Sequence, residues 1–196
     1  MKTTQHHNKR SGFTLIEMVG VLAVIAILAA LLVPKIFAAI EESHMNNAIS
    51  AINTFKTGTM SLFGRNGVFA EDTQNNTWGD KLLAADLIDK APSLKIAEDT
   101  TVNCKASNAE GTPQFDYLDG NDPNAKPSGN VVYVTMTGVA PERARELSRR
   151  IDGEKPVQNV NLTPTDNSTD DTHGRVLYTI DNTSGKATVH VYLAHK

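Results

Sequence analysis

The chain has 196 residues, of which 40% are apolar and only 6% aromatic, enough for one domain with a modest core plus an anchor. Its net charge of −3 is unevenly spread: the leader holds Lys2, Lys9 and Arg10 with no acid, and without these three the 19 basic residues fall to 16 against 22 acidic ones, a charge of −6. That acidic balance argues against binding nucleic acid through its phosphates, which needs a basic face. The single cysteine excludes an intramolecular disulfide.

Residues 1–12 are polar, basic and without periodicity, and read as a leader. Residues 13–40 form an apolar run in which only Thr14, Glu17 and Lys35 are strongly polar. At about 1.5 Å per residue the stretch from Met18 to Val33 covers about 24 Å, and the whole run exceeds the roughly 30 Å hydrocarbon core of a bilayer. It is long enough to span, and the basic leader predicts that its N-terminal side stays in the cytoplasm. Residues 41–64 continue the helical pattern in amphipathic form. Met45, Ile49, Ile52, Phe55 and Leu62 recur on one face, with Asn46, Asn47, Ser50, Asn53 and Lys56 between them. The spacing predicts one helix from about Thr14 to Leu62, closed by Gly64-Arg65-Asn66-Gly67. Pro34 lies inside it and removes a backbone donor, so a kink or loosening is expected there.

Residues 65–196 read as a mixed α+β head. Trp78 to Ile88 predicts a short helix, and Ser107 to Asn130 a long loop rich in Gly, Pro, Asn and Asp. Val131 to Met136 is the first strong strand signal. Pro141 to Asp152 predicts a helix with proline well placed in its first turn, an apolar face of Ala144, Leu147 and Ile151, and a Glu146–Arg150 pair at i,i+4. A polar, acidic loop from Thr163 to His173 follows. Arg175–Ile180 and Lys186–Leu193 alternate about Asp181-Asn182-Thr183-Ser184-Gly185 and predict a C-terminal β-hairpin.

Catalytic signals are poor. His44, His173, His190 and His195 have no H-E-x-x-H spacing and there is no G-x-S-x-G, so the chain does not read as an enzyme. His190 reads as a packed or surface strand residue. Arg143, Arg145, Arg149 and Arg150 read as a solvated helix face paired with Glu142 and Glu146. Cys104 reads as a structural, half-buried thiol, with an intermolecular disulfide or a reactive thiol as the alternative. Asp116, Asp119, Asn121 and Asp122 cluster in the first acidic loop. They read first as solvated turn residues; calcium, which takes six to eight oxygens, is the alternative cofactor.

Glu17 is the anomaly of the apolar run, since a carboxylate in a membrane helix costs free energy, on the order of 2.5–3.5 kcal/mol at the bilayer centre. Three ordinary readings of the N-terminus compete. A secretory signal peptide has a shorter apolar region and a small-residue cleavage site, whereas no two alanines among positions 23, 26, 29, 30, 38 and 39 are separated by one residue. A lipoprotein needs a cysteine near its start, and the first hundred residues contain none. A plain single-span anchor accounts for length and charge and lets Glu17 snorkel or sit at the positive end of the helix. It leaves the amphipathic continuation unexplained.

Arg10-Ser11-Gly12-Phe13-Thr14-Leu15-Ile16-Glu17-Met18, followed by the long apolar helix and Pro34, resembles the processing site of type IV prepilins and type II secretion pseudopilins. The resemblance covers about 25 residues. It implies a structural subunit cut by a prepilin peptidase after Gly12 and N-methylated on Phe13, with Glu17 and Pro34 serving assembly. Family members often carry a glycine eight residues before the proline, where this chain has Ala26. The resemblance further implies an α+β, pilin-like fold with a helical spine packed on a small antiparallel sheet. Its partners would be other pilin-like subunits, the peptidase, an inner-membrane assembly platform and membrane lipid. The expected location is the bacterial inner membrane with the head in the periplasm, then a periplasmic pseudopilus or an extracellular pilus. Cleavage would create an α-amine on Phe13 able to pair with Glu17 of the same or a neighbouring subunit, offsetting two buried charges.

Overall fold

The computed structural model describes residues 12–116, 125–153, 156–157, 160–161 and 170–196; the leader before Gly12 lies outside them. The chain divides into two compact units, Met1–Glu42 and Ser43–Lys196. Helix α1, Leu15–Asn66, supplies the described helical residues of the first unit and opens the second. In the first unit every described side chain from Gly12 to Glu42 is exposed, and the helix is long and apolar enough to cross a membrane. Helical structure is uninterrupted at Pro34. Its end comes where the turn residues predict: Gly67 takes a left-handed φ of 72° and its N–H donates to Phe63 O at 2.7 Å.

In the second unit the sequence continues as α2 (Trp78–Ala84), β1 (Asp99–Ala106), β2 (Asn130–Val139), α3 (Pro141–Asp152), the two-residue strands β3 (Pro156–Val157) and β4 (Val160–Asn161), then β5 (Val176–Asp181) and β6 (Lys186–His195). β1, β2, β6 and β5 lie in that order in one fully antiparallel sheet. The predicted amphipathic stripe is the face of α1 that packs: Met45, Ala48, Ile52, Phe55, Gly58, Thr59 and Leu62 are buried. They join one core with Val102, Cys104, Val132, Val134, Met136, Val189, Val191 and Leu193 of the sheet, Trp78 and Leu82 of α2, and Ala144 and Leu147 of α3. Strand alternation sends Val131, Tyr133 and Leu177 into a smaller cluster with Phe115. This is the α+β, pilin-like architecture expected from the sequence.

Two expectations are corrected. The helix predicted to reach Ile88 stops at Ala84, because Asp86 turns left-handed (φ 54°). Its N–H donates to Leu83 O, and Leu87 N–H reaches back to Leu82 O, a Schellman closure that satisfies the last carbonyls. Strand β1 lies in a stretch where no strand was predicted. The C-terminal hairpin forms as expected, with Asp181 paired to Lys186 across the turn. α3 has the predicted bounds, and Glu146 receives Arg150 Nε at 2.7 Å. Arg150 Nη1 also donates to Asn46 Oδ1 (3.0 Å), tying α3 to α1.

Candidate functional site

The site begins where helical structure begins. Gly12, Phe13 and Thr14 precede α1 in non-helical backbone, and Phe13 is 76% exposed. A methyl group placed on Gly12 meets no atom of the described residues within 4 Å. The fold around it, as described, therefore gives no reason for glycine at this position.

Thr14 is the N-cap of α1 and Glu17 is its third helical residue. Glu17 N–H donates to Thr14 Oγ1 at 3.3 Å, while Thr14 N–H and Thr14 Oγ–H both donate to Glu17 Oε2 at 2.8 Å. This is a reciprocal capping box, in which two backbone N–H groups that a helix start leaves orphaned are satisfied by side chains. The same device starts α2, where Thr77 and Asp80 exchange the equivalent bonds. The Thr14-x-x-Glu17 spacing announces this cap in the sequence, since S/T-x-x-E before an apolar run is its signature. The carboxylate thus has a partner three residues away, and its negative charge sits at the positive end of the helix dipole. Oε2 carries this cap; Oε1 receives no hydrogen bond from the described residues.

Pro34 occupies the middle of the exposed apolar half of α1 and is not near Glu17 in the chain, so the structure does not bring these two assembly candidates together. In the head, Asp116 is buried. Its Oδ1 accepts Gly174 N–H (2.5 Å) and its Oδ2 lies 2.9 Å from His173 Nδ1. Both oxygens are therefore engaged by the protein itself. Asp119, Asn121 and Asp122 lie outside the described residues, and among the described residues no group of three or more His, Cys, Asp or Glu side chains could hold a metal ion. His190 is half-buried, with Nδ1 3.1 Å from Thr135 Oγ1, and burial lowers its pKa. Cys104 is fully buried in the core, where burial, reinforced by Asp72, pushes its thiol up to about 12.

A family model described as a prokaryotic N-terminal methylation motif matches residues 7–33. The match spans the Gly12–Phe13 junction, the capping box and the apolar run as far as Val33, and it is the prepilin-type signature. No curated protein and no solved structure matches the chain significantly.

Proposed function

We propose that the chain is the structural subunit of a type IV pilus or pseudopilus-like filament, cut by a prepilin peptidase between Gly12 and Phe13, N-methylated on Phe13 and polymerised through α1. The observation that carries this reading is the methylation motif at residues 7–33 placed on the exposed, apolar start of α1. Three structural details support it. The Gly12–Phe13 bond precedes the helix, so a peptidase reaches it without unwinding α1. Gly12 has open space around it among the described residues, as an accessible cleavage position needs. Thr14 N–H belongs to the Phe13–Thr14 peptide and survives cleavage, so the cap persists while the new amine on Phe13 arises one residue before it.

Glu17 then has two tasks on two oxygens: Oε2 closes the cap, and Oε1 receives an α-amine, its own or a neighbour's. A subunit docked in register satisfies both charges in apolar surroundings, and a misregistered one leaves an ion unpaired. Before assembly α1 anchors the subunit in the inner membrane with the head in the periplasm. Its partners are other pilin-like subunits, the peptidase and the assembly platform. The test is filament incorporation: Glu17→Ala abolishes it and Glu17→Gln, which keeps a polar cap without charge, reduces it. Normal incorporation of Glu17→Ala would sink the assembly role.

One observation favours a second reading. The Thr14–Glu17 cap is complete within a single chain, as in an ordinary single-span anchor carrying a binding module that does not polymerise. A mature chain that retains its leader and remains unassembled distinguishes that case.

A further inference from the structure

The segment Asp171–Arg175 leads into β5, an edge strand of the sheet, and carboxylates fasten it at three points. Asp152, at the end of α3, accepts Arg175 N–H and Val176 N–H on Oδ2 (2.9 Å each) and Arg175 Nε on Oδ1 (3.0 Å). Asp116 holds Gly174 and His173 from the other side. Asp171 lies in the strap itself. Its backbone pairs in both directions with Tyr178 on the outer edge of β5 (2.9 and 2.8 Å), while its Oδ2 accepts Ser148 Oγ–H from α3 at 2.6 Å. Asp171 is 3% exposed and Ser148 fully buried. Unlike Asp152, which has the Arg175 guanidinium, Asp171 is given hydrogen bonds, among the described residues, by the neutral Ser148 hydroxyl and the His173 backbone N–H.

We propose that Asp171 is a proton-dependent clasp: protonated, it stays buried against α3 and keeps the outer edge of β5 paired, and ionised, it loosens the strap and uncovers that edge. Burying a carboxylate beside another carboxylate favours its neutral form. Burial is the main cause that lifts Asp171 to about 7, with the Asp152 charge adding to it and the Ser148 hydroxyl and the His173 backbone N–H and imidazole opposing. The other titratable and charged groups about the strap are His173 and Asp170 within it, Asp116 from the preceding segment, Asp152 from α3, and Arg175 and Tyr178 on the β5 side. Loosening the strap frees the N–H and C=O of Tyr178. A sheet edge with free backbone groups is a template for pairing with another strand, so proton concentration would set whether this edge of the head is available.

Hydrogen exchange read by mass spectrometry on the full chain in detergent micelles tests the clasp, at about pH 5.5 and about pH 8.5 with intrinsic rates corrected. The expected result is a loss of protection of about tenfold in peptides over 171–180 at the higher pH, with core peptides over 131–136 unchanged. Asp171→Asn, neutral at both values, keeps the strap protected at both. Ser148→Ala, which removes a hydroxyl donor to the Asp171 carboxyl, weakens protection of the strap at both values and most at the higher one. Equal protection of the wild-type strap at both values overturns the proposal. So does an Asp171→Asn chain that keeps the wild-type pH dependence, or core peptides that open in parallel with the strap.

Discussion

At the scale of single residues, buried polar groups set the chemistry of the head. The Cys104 thiol has no exposure and is pushed up to about 12, so neither thiolate nor access is present. The folded chain should leave it unreactive toward a disulfide reagent at neutral pH and expose one thiol on unfolding; rapid labelling of the native protein contradicts this placement. Asp171 makes a pH prediction whose sign follows from its raised pKa. The folded state holds a proton that the unfolded chain has released above about pH 4, so the stability from Asp171 is full at low pH and is lost as pH rises through about 7. Between about pH 5 and 8 the loss is on the order of 2–3 kcal/mol. Denaturant melts of the wild type and Asp171→Asn should diverge over that window, the variant gaining relative stability as pH rises. A constant difference would show that Asp171 does not titrate there. Trp78 illustrates the same logic in a neutral pair: its Nε1–H donates to Thr59 Oγ1 at 3.1 Å inside the core. Thr59→Val strands that donor and should cost about 1–3 kcal/mol by chemical denaturation.

At the scale of elements, periodicity explains what the sequence made legible. The α1 stripe, the α3 face and the C-terminal hairpin each repeat apolar residues at the period of the structure they form, and all three appear near their expected bounds. β1 escaped because Asp-Thr-Thr-Val-Asn-Cys-Lys-Ala offers only Val102, Cys104 and Ala106 as alternating small or apolar positions, amid residues that usually mark loops. The end of α2 escaped because the left-handed residue is Asp86, where glycine is the usual signal. At the N-terminal site, Gly12, Phe13 and Glu17 were legible as a motif. The capping box was legible too, by spacing, yet a charge in an apolar run drew attention to its cost and away from its bonds. The strap could not be read at all, since Asp116, Asp152 and Asp171 are brought together only by the fold. Leu147 tests the α3 contact: it is fully buried among core residues, and Leu147→Ala should lower stability by about 2–5 kcal/mol while leaving N-terminal processing intact. Loss of processing in a folded Leu147→Ala chain would break the separation of the two roles.

At the scale of the whole molecule, a membrane-length apolar helix start, a processing motif and an independently packed head are joined in one chain. The methylation motif covers the start of the exposed apolar surface of α1 and the junction that precedes it. Exposed apolar side chains from Phe13 to Ile40 need lipid or neighbouring helices to cover them, and the proposed cleavage beside a capped helix start would supply a charge that either environment must accommodate. Every part of that account passes through one covalent event. Mass spectrometry of the mature N-terminus, on protein recovered from a membrane that contains a prepilin peptidase, reads it directly. The account predicts a chain that starts at Phe13 with one methyl group on its α-amine; a chain that still carries Met1 and the leader, with Phe13 unmodified, contradicts it.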